Sequence, residues 1–507
     1  MLQQHDQSNI IIAIVIFAIV YFLIMFGRRR LGIPIWTSML IGAALMIAFQ
    51  IIDIQSAFKS INLDVIGFLF GMFSIVSALD KSGVLRLVSI KMLEKAKHNP
   101  SLILMAFVVG LGLLSAFLVN DTIAVIGIPL VVYISRQVGI RSQVLLIALA
   151  FGITVGSTMT PIGNPQNLLI ALQSGIPLPF ITFIRHLGIP TIVNLFLTYF
   201  ILRTYYRKEL FLLSSNTMIP TTTTGHQQGY HAANKRLQYA KDQSLTGNYD
   251  EDVINNNNNA LEKDLAVAPL SDGQGPIITN PRLAKISIII LLTTIAGFII
   301  SDIIQFAYPH ITTNLSLSII ALLGATALYA LSKERREILV SVDYSVLVFF
   351  AAMFVFTYGL WSSGIISLIL SYFPTPDLHN IIQSDAVISV ISAALSQILS
   401  NVPFVAIYNM VMINNGFANG VHSSGIGVSS SNNNNNNNNG ISQWMMLAAA
   451  STIAGNLTIL AAASNIIIIE SAESRGIKAF TFFEYFKIGV IVTLANIVVY
   501  YFFILLL

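Results

Sequence analysis

Apolar runs of roughly 20 residues recur along almost the whole chain, and each is long enough to cross a bilayer as a helix. They lie near residues 10–26, 33–52, 61–79, 101–138, 143–173, 180–206, 283–304, 313–331, 342–362, 385–412, 441–470 and 481–507. Only 10% of the residues are charged, whereas soluble domains carry about 25%. The sequence therefore predicts an all-α polytopic membrane protein.

Two polar stretches interrupt this pattern. Residues 207–282 contain "TTTTG", mixed charge and "NNNNN", and residues 413–440 contain eight consecutive Asn without Lys or Arg. Such composition is typical of disordered segments. We predict a first membrane repeat over 1–206, a disordered cytoplasmic linker over 207–282 and a second membrane repeat over 283–507. The Asn-rich insert at 413–440 lies within the second repeat and is predicted to be extracellular.

The two membrane portions resemble each other in sequence. "MFSIVSALDKSG" (72–83) aligns with "MFVFTYGLWSSG" (353–364) at an offset of 281, which places Asn120 on Asn401. A later alignment at an offset of 301 places Asn164 on Asn465. Chance agreement between two apolar sequences rich in Gly and Phe is the alternative. The shared order of segments and polar positions favours an internal repeat.

The positive charges indicate the topology. If the fourth and tenth segments are hairpins and the others cross once, 25 of the 27 Lys and Arg fall on one side, and Lys59 and Arg185 fall on the other. Positive residues favour the cytoplasmic side. Each half then crosses five times, so the second half is inverted and both termini lie outside. The same asymmetry accounts for the pI near 9, so no nucleic-acid partner is indicated.

Polar residues interrupt four of the apolar segments. "VNDT" (119–122) and "SNVP" (400–403) each lie in the middle of a segment, where unpaired polar groups are unfavourable unless they have a function. They predict the tips of two re-entrant hairpins. Gly and Pro in "GITVGSTMTPIGNPQN" (152–167), and the related "STIAGNLTILAAASN" (451–465), predict two broken transmembrane helices. Broken helices expose carbonyl groups for cations and N–H groups for anions, as in secondary transporters.

Four motifs carry a family resemblance: "SAFLVNDTIAVIGIPLV" (115–131), "GSTMTPIGNPQNLLI" (156–170), "SNVPFV" (400–405) and "AGNLTILAAASNIII" (454–468). They resemble the ion transporter superfamily, in its arsenite-permease, citrate-transporter-like and sodium/proton-antiporter branch. The resemblance implies an elevator-type carrier, commonly a homodimer, whose hairpin tips and broken-helix loops bind ions and substrate.

The resemblance implies a set of substrate- and ion-binding residues, to which the repeat adds Asn164 and Asn465. The implied residues are Asn120, Asp121, Thr122, Gly156, Ser157, Thr158, Ser400, Asn401, Pro403, Gly455, Asn456 and Thr458. Sodium is expected near Asn120, Gly156, Asn401 and Gly455.

Asp121 is predicted to be the coupling acid. It is the one charged residue in 101–135, and its counterpart in the repeat is the apolar Val402. The alternative is that Asp121 only forms the hairpin turn, since Asn-Asp favours turns. Equally, Gly455 could serve only close helix packing.

The predicted function is secondary active transport of an anion or metalloid oxyanion across the plasma membrane, driven by sodium or protons. The alternatives are a sodium/proton antiporter and a passive channel. The resemblance implies Ser-Asn-Thr at both tips of dicarboxylate carriers, whereas this chain has Val-Asn-Asp and Ser-Asn-Val, which disfavours a dicarboxylate or citrate as the substrate. The sequence contains no cysteine, no metal-ligand spacing of His and no "GxxxxGK" loop, so neither an enzyme nor a cofactor is predicted.

Overall fold

The structure is a computed structural model that describes residues 2–24, 32–96, 99–210, 278–308, 316–366, 376–377, 380–417 and 440–506. Most of the predicted linker (211–277) and most of the Asn-rich insert (418–439) lie outside the described residues. The remainder is built from helices joined by short connections, as the all-α prediction requires.

The helices of the first half correspond closely to the predicted apolar segments. They are α1 (Leu2–Phe22), α2 (Ile35–Ala48), α3 (Ile54–Ser60), α4 (Leu63–Lys81), α5 (Val84–Lys95), α6 (Pro100–Leu118), α7 (Asn120–Val138), α8 (Ser142–Ser157), α9 (Pro165–Gln173) and α10 (Pro179–Tyr205). A π-helical turn, Ala106–Gly110, lies inside α6.

The second half repeats this order. Its helices are α11 (Pro281–Ala307), α12 (Leu317–Leu331), α13 (Arg335–Val340), α14 (Tyr344–Ser362), α15 (Ile381–Leu399), α16 (Asn401–Met412), α17 (Ile441–Ile453), α18 (Ala463–Glu473) and α19 (Phe482–Leu506). Among the described residues, seven helices are long and apolar enough to cross a membrane: α4, α6, α10, α11, α14, α15 and α19. The chain is therefore a multi-pass membrane protein.

The ends of the helices repeat residue by residue. At the offset of 281, α14 begins and ends on the counterparts of the ends of α4, and α15 does the same for α6. Asn99 and Asn380, which are counterparts, cap α6 and α15 by accepting the N–H groups of Ser101 and Gln383. An Asn side chain at this position satisfies an N–H group that has no partner within the helix. The two halves therefore share one backbone plan, whereas their inverted placement in a membrane stays a prediction.

The helices pack as two groups, and in both groups the halves interlock. In one group, α4 packs on α12 and α2 packs on α14. In the other, α6 packs on α8, α15 packs on α17, α7 packs on α18, and α9 packs on α16. The long helices α10 and α19 also pack on each other in the second group. This second group contains both hairpins and both interrupted helices.

The groups meet where α10 contacts α11 and where α14 contacts α16. At the first contact, the carboxylate of Asp302 on α11 accepts the N–H of Ile181 in the first turn of α10 at 2.9 Å. The rings of Phe180 and Phe298 lie 5.7 Å apart at the same place. A buried carboxylate therefore caps the start of α10 and fixes it against the neighbouring group.

Candidate functional site

Each hairpin reverses direction at a single residue. Val119 joins α6 to α7 with φ 59°, and Ser400 joins α15 to α16 with φ 63°. Positive φ is uncommon for residues other than Gly, and for the β-branched Val119 it is strained. The reversal places Asn120 and Asn401 as the first residues of α7 and α16, and both are buried. The predicted tips are therefore present, and each ends in an asparagine.

Each tip is bonded to the interrupted helix of its own half. The backbone N–H of Asn120 donates to Gly163 O at 2.9 Å. In the second half, the Ser400 hydroxyl donates to Ala461 O at 3.0 Å. Because both acceptors lie within the breaks, tip and break form one half-site in each repeat.

In the first half-site, the backbone carbonyls of the break accept hydrogen bonds from two asparagines. Asn164 caps α9, and its Nδ2 donates to Ser157 O at 3.1 Å. Asn167 Nδ2 lies 3.3 Å from Ser157 O and 3.2 Å from both Thr158 O and Thr160 O. The expectation that the break leaves its carbonyls free therefore does not hold at these three positions.

Gly156 serves close packing in this half-site. A Cβ on Gly156 would lie 1.9 Å from Gly112 O on α6. The hydroxyls of Ser157 and Thr158 turn back onto their own helix, where Thr154 O accepts them at 2.9 and 3.4 Å. These bonds satisfy side chains within α8. The backbone of this half-site is therefore compact and internally bonded.

The second half-site uses Gly455 O as its hydrogen-bond centre. This oxygen accepts Asn465 Nδ2 at 2.7 Å and the Tyr485 hydroxyl at 3.2 Å. Beside it, Gln397 donates to Ala454 O at 3.1 Å and accepts the Thr458 hydroxyl at 2.7 Å. Gly455 O therefore already accepts two hydrogen bonds, one for each of its lone pairs, and sodium binding near Gly455 stays a prediction.

Two buried amide side chains of the second half-site have no hydrogen-bond partner among the described residues. Neither Oδ1 nor Nδ2 of Asn401 or of Asn456 is paired, although the two residues are 2% and 0% exposed. An unsatisfied buried polar group costs about 1–3 kcal/mol. A bound molecule or ion that pairs with these amides would remove that cost.

The unpaired amide of Asn401 lies against the break. A Cβ on Gly455 would lie 2.9 Å from Asn401 Nδ2 and 3.4 Å from Thr154 Cγ2. Because it has no side chain, Gly455 allows the Asn401 tip to approach the backbone closely. Gly455 therefore contributes both to helix packing and to the shape of the site. The hydroxyl of Thr154, which belongs to the first half, has no partner among the described residues either.

The two half-sites differ in what a threonine from the other half contributes. Thr452 Oγ1 lies 3.2 Å from Asn164 Nδ2 and 3.2 Å from Asn167 Oδ1, so the second half completes the first half-site. Thr154, on α8 of the first half, instead offers the second half-site an unpaired hydroxyl. Among the described residues, the second half-site therefore has unpaired polar groups on Asn401, Asn456 and Thr154.

The remaining predicted residues lie close to these centres. Asp121 and Thr122 are half-buried in the first turn of α7, and the backbone N–H of Asp121 donates to Asn120 Oδ1 at 2.9 Å. Pro403 is buried in the first turn of α16. In the described parts of the chain, no cluster of three or more His, Asp or Glu could hold a metal ion.

Sequence reasoning missed several residues of the site. They are Thr154, Asn167, Gln397, Thr452 and Tyr485. Thr154 and Thr452 lie within the two quoted break motifs (152–167 and 451–465), which was a usable signal for that pair. Tyr485 and Gln397 lie outside the interrupted motifs, and their roles depend on tertiary contacts.

Comparison with known proteins is consistent with this architecture. The profile of the citrate transporter family matches residues 13–424. The silicon efflux transporter LSI3 of Oryza sativa subsp. japonica is 28% identical over 379 residues, covering 72% of this chain and 73% of that protein. The uncharacterized transporter Rv2685 of Mycobacterium tuberculosis is 27% identical and covers 72% of each chain. The putative transporter arsB of Dictyostelium discoideum is 30% identical over 179 residues, 35% of this chain and 31% of that protein.

Proposed function

Because the chain belongs to the citrate transporter family, and is a membrane transporter and not an enzyme, we propose that it performs secondary active transport. The proposed substrate is a small anion or metalloid oxyanion, and the driving force is a sodium or proton gradient. The observation that carries the proposal is the unpaired, buried amide of Asn401 beside Gly455 at a hairpin tip. Both atoms of this amide are therefore available to pair with a bound solute or ion.

The chemistry of the half-sites supports the substrate class. An amide side chain both donates and accepts hydrogen bonds, which suits a solute that carries hydroxyl groups. The spans 101–135, 142–184 and 386–469 contain no Lys or Arg. A negative substrate would therefore depend on the N-termini of α7 and α16 and on a cation bound with it. The relative named as a silicon efflux transporter supports a small oxyacid as the substrate, while the family itself is named for citrate, so both solutes belong in the test.

Coupling is proposed to involve both tips. Asp121 is the proposed coupling acid, because a carboxylate at the start of α7 can exchange a proton or attract a cation. Sodium would bind at the Oδ1 atoms of Asn401 and Asn456, which are unpaired and hard oxygen ligands. The same proposal places the protein in the plasma membrane, as a homodimer, with both termini outside the cell.

A flux screen in proteoliposomes tests this function. Purified protein is offered arsenite, silicate, citrate and smaller carboxylates, each with and without an imposed sodium or proton gradient. Gradient-dependent uphill accumulation of one of these solutes is the expected result. Sodium–proton exchange without any of them would favour the antiporter. Downhill flux of the solute that depends on neither the sodium nor the proton gradient would identify a channel and contradict the proposal.

A further inference from the structure

Helix α15 carries a buried polar stripe that the proposed substrate site does not use. Asp385, Ser389, Ser392 and Ser396 follow one another at spacings of four, three and four residues. These spacings place them on one face of the helix. All four are buried, and α15 packs on α17. The stripe runs along the hairpin arm toward the tip at Asn401.

The carboxyl group of Asp385 is incompletely paired. Its Oδ2 accepts the Ser442 hydroxyl of α17 at 2.7 Å, whereas Oδ1 has no partner among the described residues, and the residue is 0% exposed. The hydroxyls of Ser392 and Ser396 are also buried without a described partner. A buried ionised carboxylate with a bare oxygen is strongly unfavourable. A proton on that oxygen removes the charge.

The repeat shows that packing does not require this stripe. At the offset of 281, the counterparts of Asp385, Ser389 and Ser392 on α6 are Leu104, Val108 and Leu111, and all three are buried. Helix α6 packs on α8 as α15 packs on α17. The counterpart of Ser396 is the buried Ser115, whose hydroxyl donates to Gly112 O and Ile153 O. At the other three positions the first half builds the same packing with apolar residues, so packing does not require Asp385, Ser389 or Ser392.

The surroundings of Asp385 offer no counter-ion in the described residues. Helix α17 and the turns Ala454–Asn456 and Ile459–Ala461 contain no ionisable residue, and α16 contributes Tyr408. On α19 the hydroxyl of Tyr501 donates to Ile382 O at 3.1 Å.

The charged residues of α19 lie far from Asp385. Lys487 precedes Tyr501 by 14 residues, which is about 21 Å along a helix, and Glu484 lies farther still. The backbone of Asp377 is bonded to the Ser384 hydroxyl, and its carboxyl group would add negative charge. A proton is therefore the neutralising partner that fits.

We propose that Asp385 is a proton-binding site separate from Asp121, reached from the Asn401 tip through the hydroxyls of Ser396 and Ser392. A proton that enters from the aqueous side at the tip is relayed along the path: each hydroxyl or water passes one proton on and accepts one from behind. Oδ1 of the carboxylate therefore gains a proton and no charge stays in the path, while Oδ2 continues to accept from Ser442. The path from Ser392 to Asp385 passes Ser389, whose hydroxyl donates to Asp385 O at 2.6 Å. Successive members of the series Ser396, Ser392, Ser389 and Asp385 are three or four residues apart and therefore lie about 5–6 Å from each other, so one water molecule between neighbours completes the path. The site deepens the transport proposal, because it supplies a second titrating group to a proton-driven carrier.

Infrared difference spectroscopy of the full-length protein in lipid vesicles tests the site without any substrate. The wild type should show a protonated-carboxyl band that is lost in Asp385→Asn and retained in Asp121→Asn. Ser442→Ala should shift this band to higher frequency, because the C=O group loses its hydrogen bond. Ser287→Ala, at a buried serine of α11, is the matched control and should leave the spectrum unchanged.

The path has its own test. Ser392→Leu introduces the residue that the first half has at this position, Leu111, and it should slow the hydrogen–deuterium exchange of the Asp385 band. An unchanged exchange rate in Ser392→Leu would show that protons do not reach Asp385 along the serine hydroxyls. A spectrum in which neither Asp385→Asn nor Ser442→Ala alters any carboxyl band would overturn the site. Since no substrate is needed, these outcomes do not depend on the transport proposal.

Discussion

At the scale of single residues, the two tip asparagines show how similar sequences acquire different roles. Asn120 pairs through its backbone with Gly163 and through its side chain with the next N–H of the chain. The side chain of Asn401 pairs with nothing among the described residues. The repeat predicts that both asparagines are present. Whether the Asn401 amide has a hydrogen-bond partner depends on the surrounding fold and could not be predicted.

Asn401→Ala should abolish transport of the solute found in the flux screen and leave folding largely intact. The amide makes no hydrogen bond within the described residues, so its loss breaks none and removes unsatisfied buried groups that cost about 1–3 kcal/mol each. The melting temperature should therefore not fall through lost hydrogen bonding. Uptake and thermal unfolding are measured together. Val402→Ala, at the next residue of the same tip, is the control and should transport normally. Wild-type uptake by Asn401→Ala would show that the tip does not bind the solute.

Asp121→Asn should uncouple transport from the gradient. The change keeps the shape of the side chain in the first turn of α7 and removes its charge. Exchange of solute on both sides should survive, while uphill accumulation should stop. The measurement compares counterflow with gradient-driven uptake in the same vesicles. Uphill uptake with unaltered sodium and pH dependence would leave Asp121 as a turn residue.

At the scale of helices, the sequence predicted the hairpins and breaks because local chemistry creates them. Pro161 and Gly163 disfavour a continuous helix, Pro165 is suited to the first position of a new one, and the interruption lies at these residues. The partners of each break could not be predicted in the same way. Thr452 meets Asn164 across 288 residues, and no local pattern encodes such a contact.

Close packing between α6 and α8 makes a second prediction at this scale. Gly156→Ala should destabilise the protein by about 1–3 kcal/mol, since the added methyl group meets backbone that cannot rotate away. The Cβ would lie 1.9 Å from Gly112 O. Gly188→Ala on α10 is the control, because its Cβ would lie 3.6 Å from Ile184 Cγ2, an ordinary contact.

Thermal unfolding in detergent compares the two variants. The melting temperature should fall for Gly156→Ala and remain near that of the wild type for Gly188→Ala. Equal melting temperatures would mean that the two helices separate readily and that the approach at Gly156 contributes little to stability.

At the scale of the whole molecule, one backbone plan carries two different sets of buried polar groups. The equal bounds of α4 and α14, and of α6 and α15, were predictable from the alignment at 281. The differences between the halves come from substitutions within that plan, such as Asp121 against Val402 and Leu104 against Asp385. Alignment locates such positions, but it does not show which polar group remains unpaired, because pairing depends on neighbours from both halves.

The placement of the chain in the membrane is the last prediction. It depends on the asymmetry that puts 25 of 27 Lys and Arg on one side, and cytoplasmic loops are enriched in these residues. Lys59, in α3, and Arg336, in α13, are exposed in the structure and are predicted to lie on opposite sides of the membrane.

The sequence has no cysteine, so Lys59→Cys and Arg336→Cys each create a single labelling site. A thiol reagent that cannot cross membranes should label Lys59→Cys in intact cells and Arg336→Cys only after permeabilisation. Labelling of Arg336→Cys in intact cells would reverse or refute the topology, and with it the inverted arrangement that places both asparagine tips at one depth.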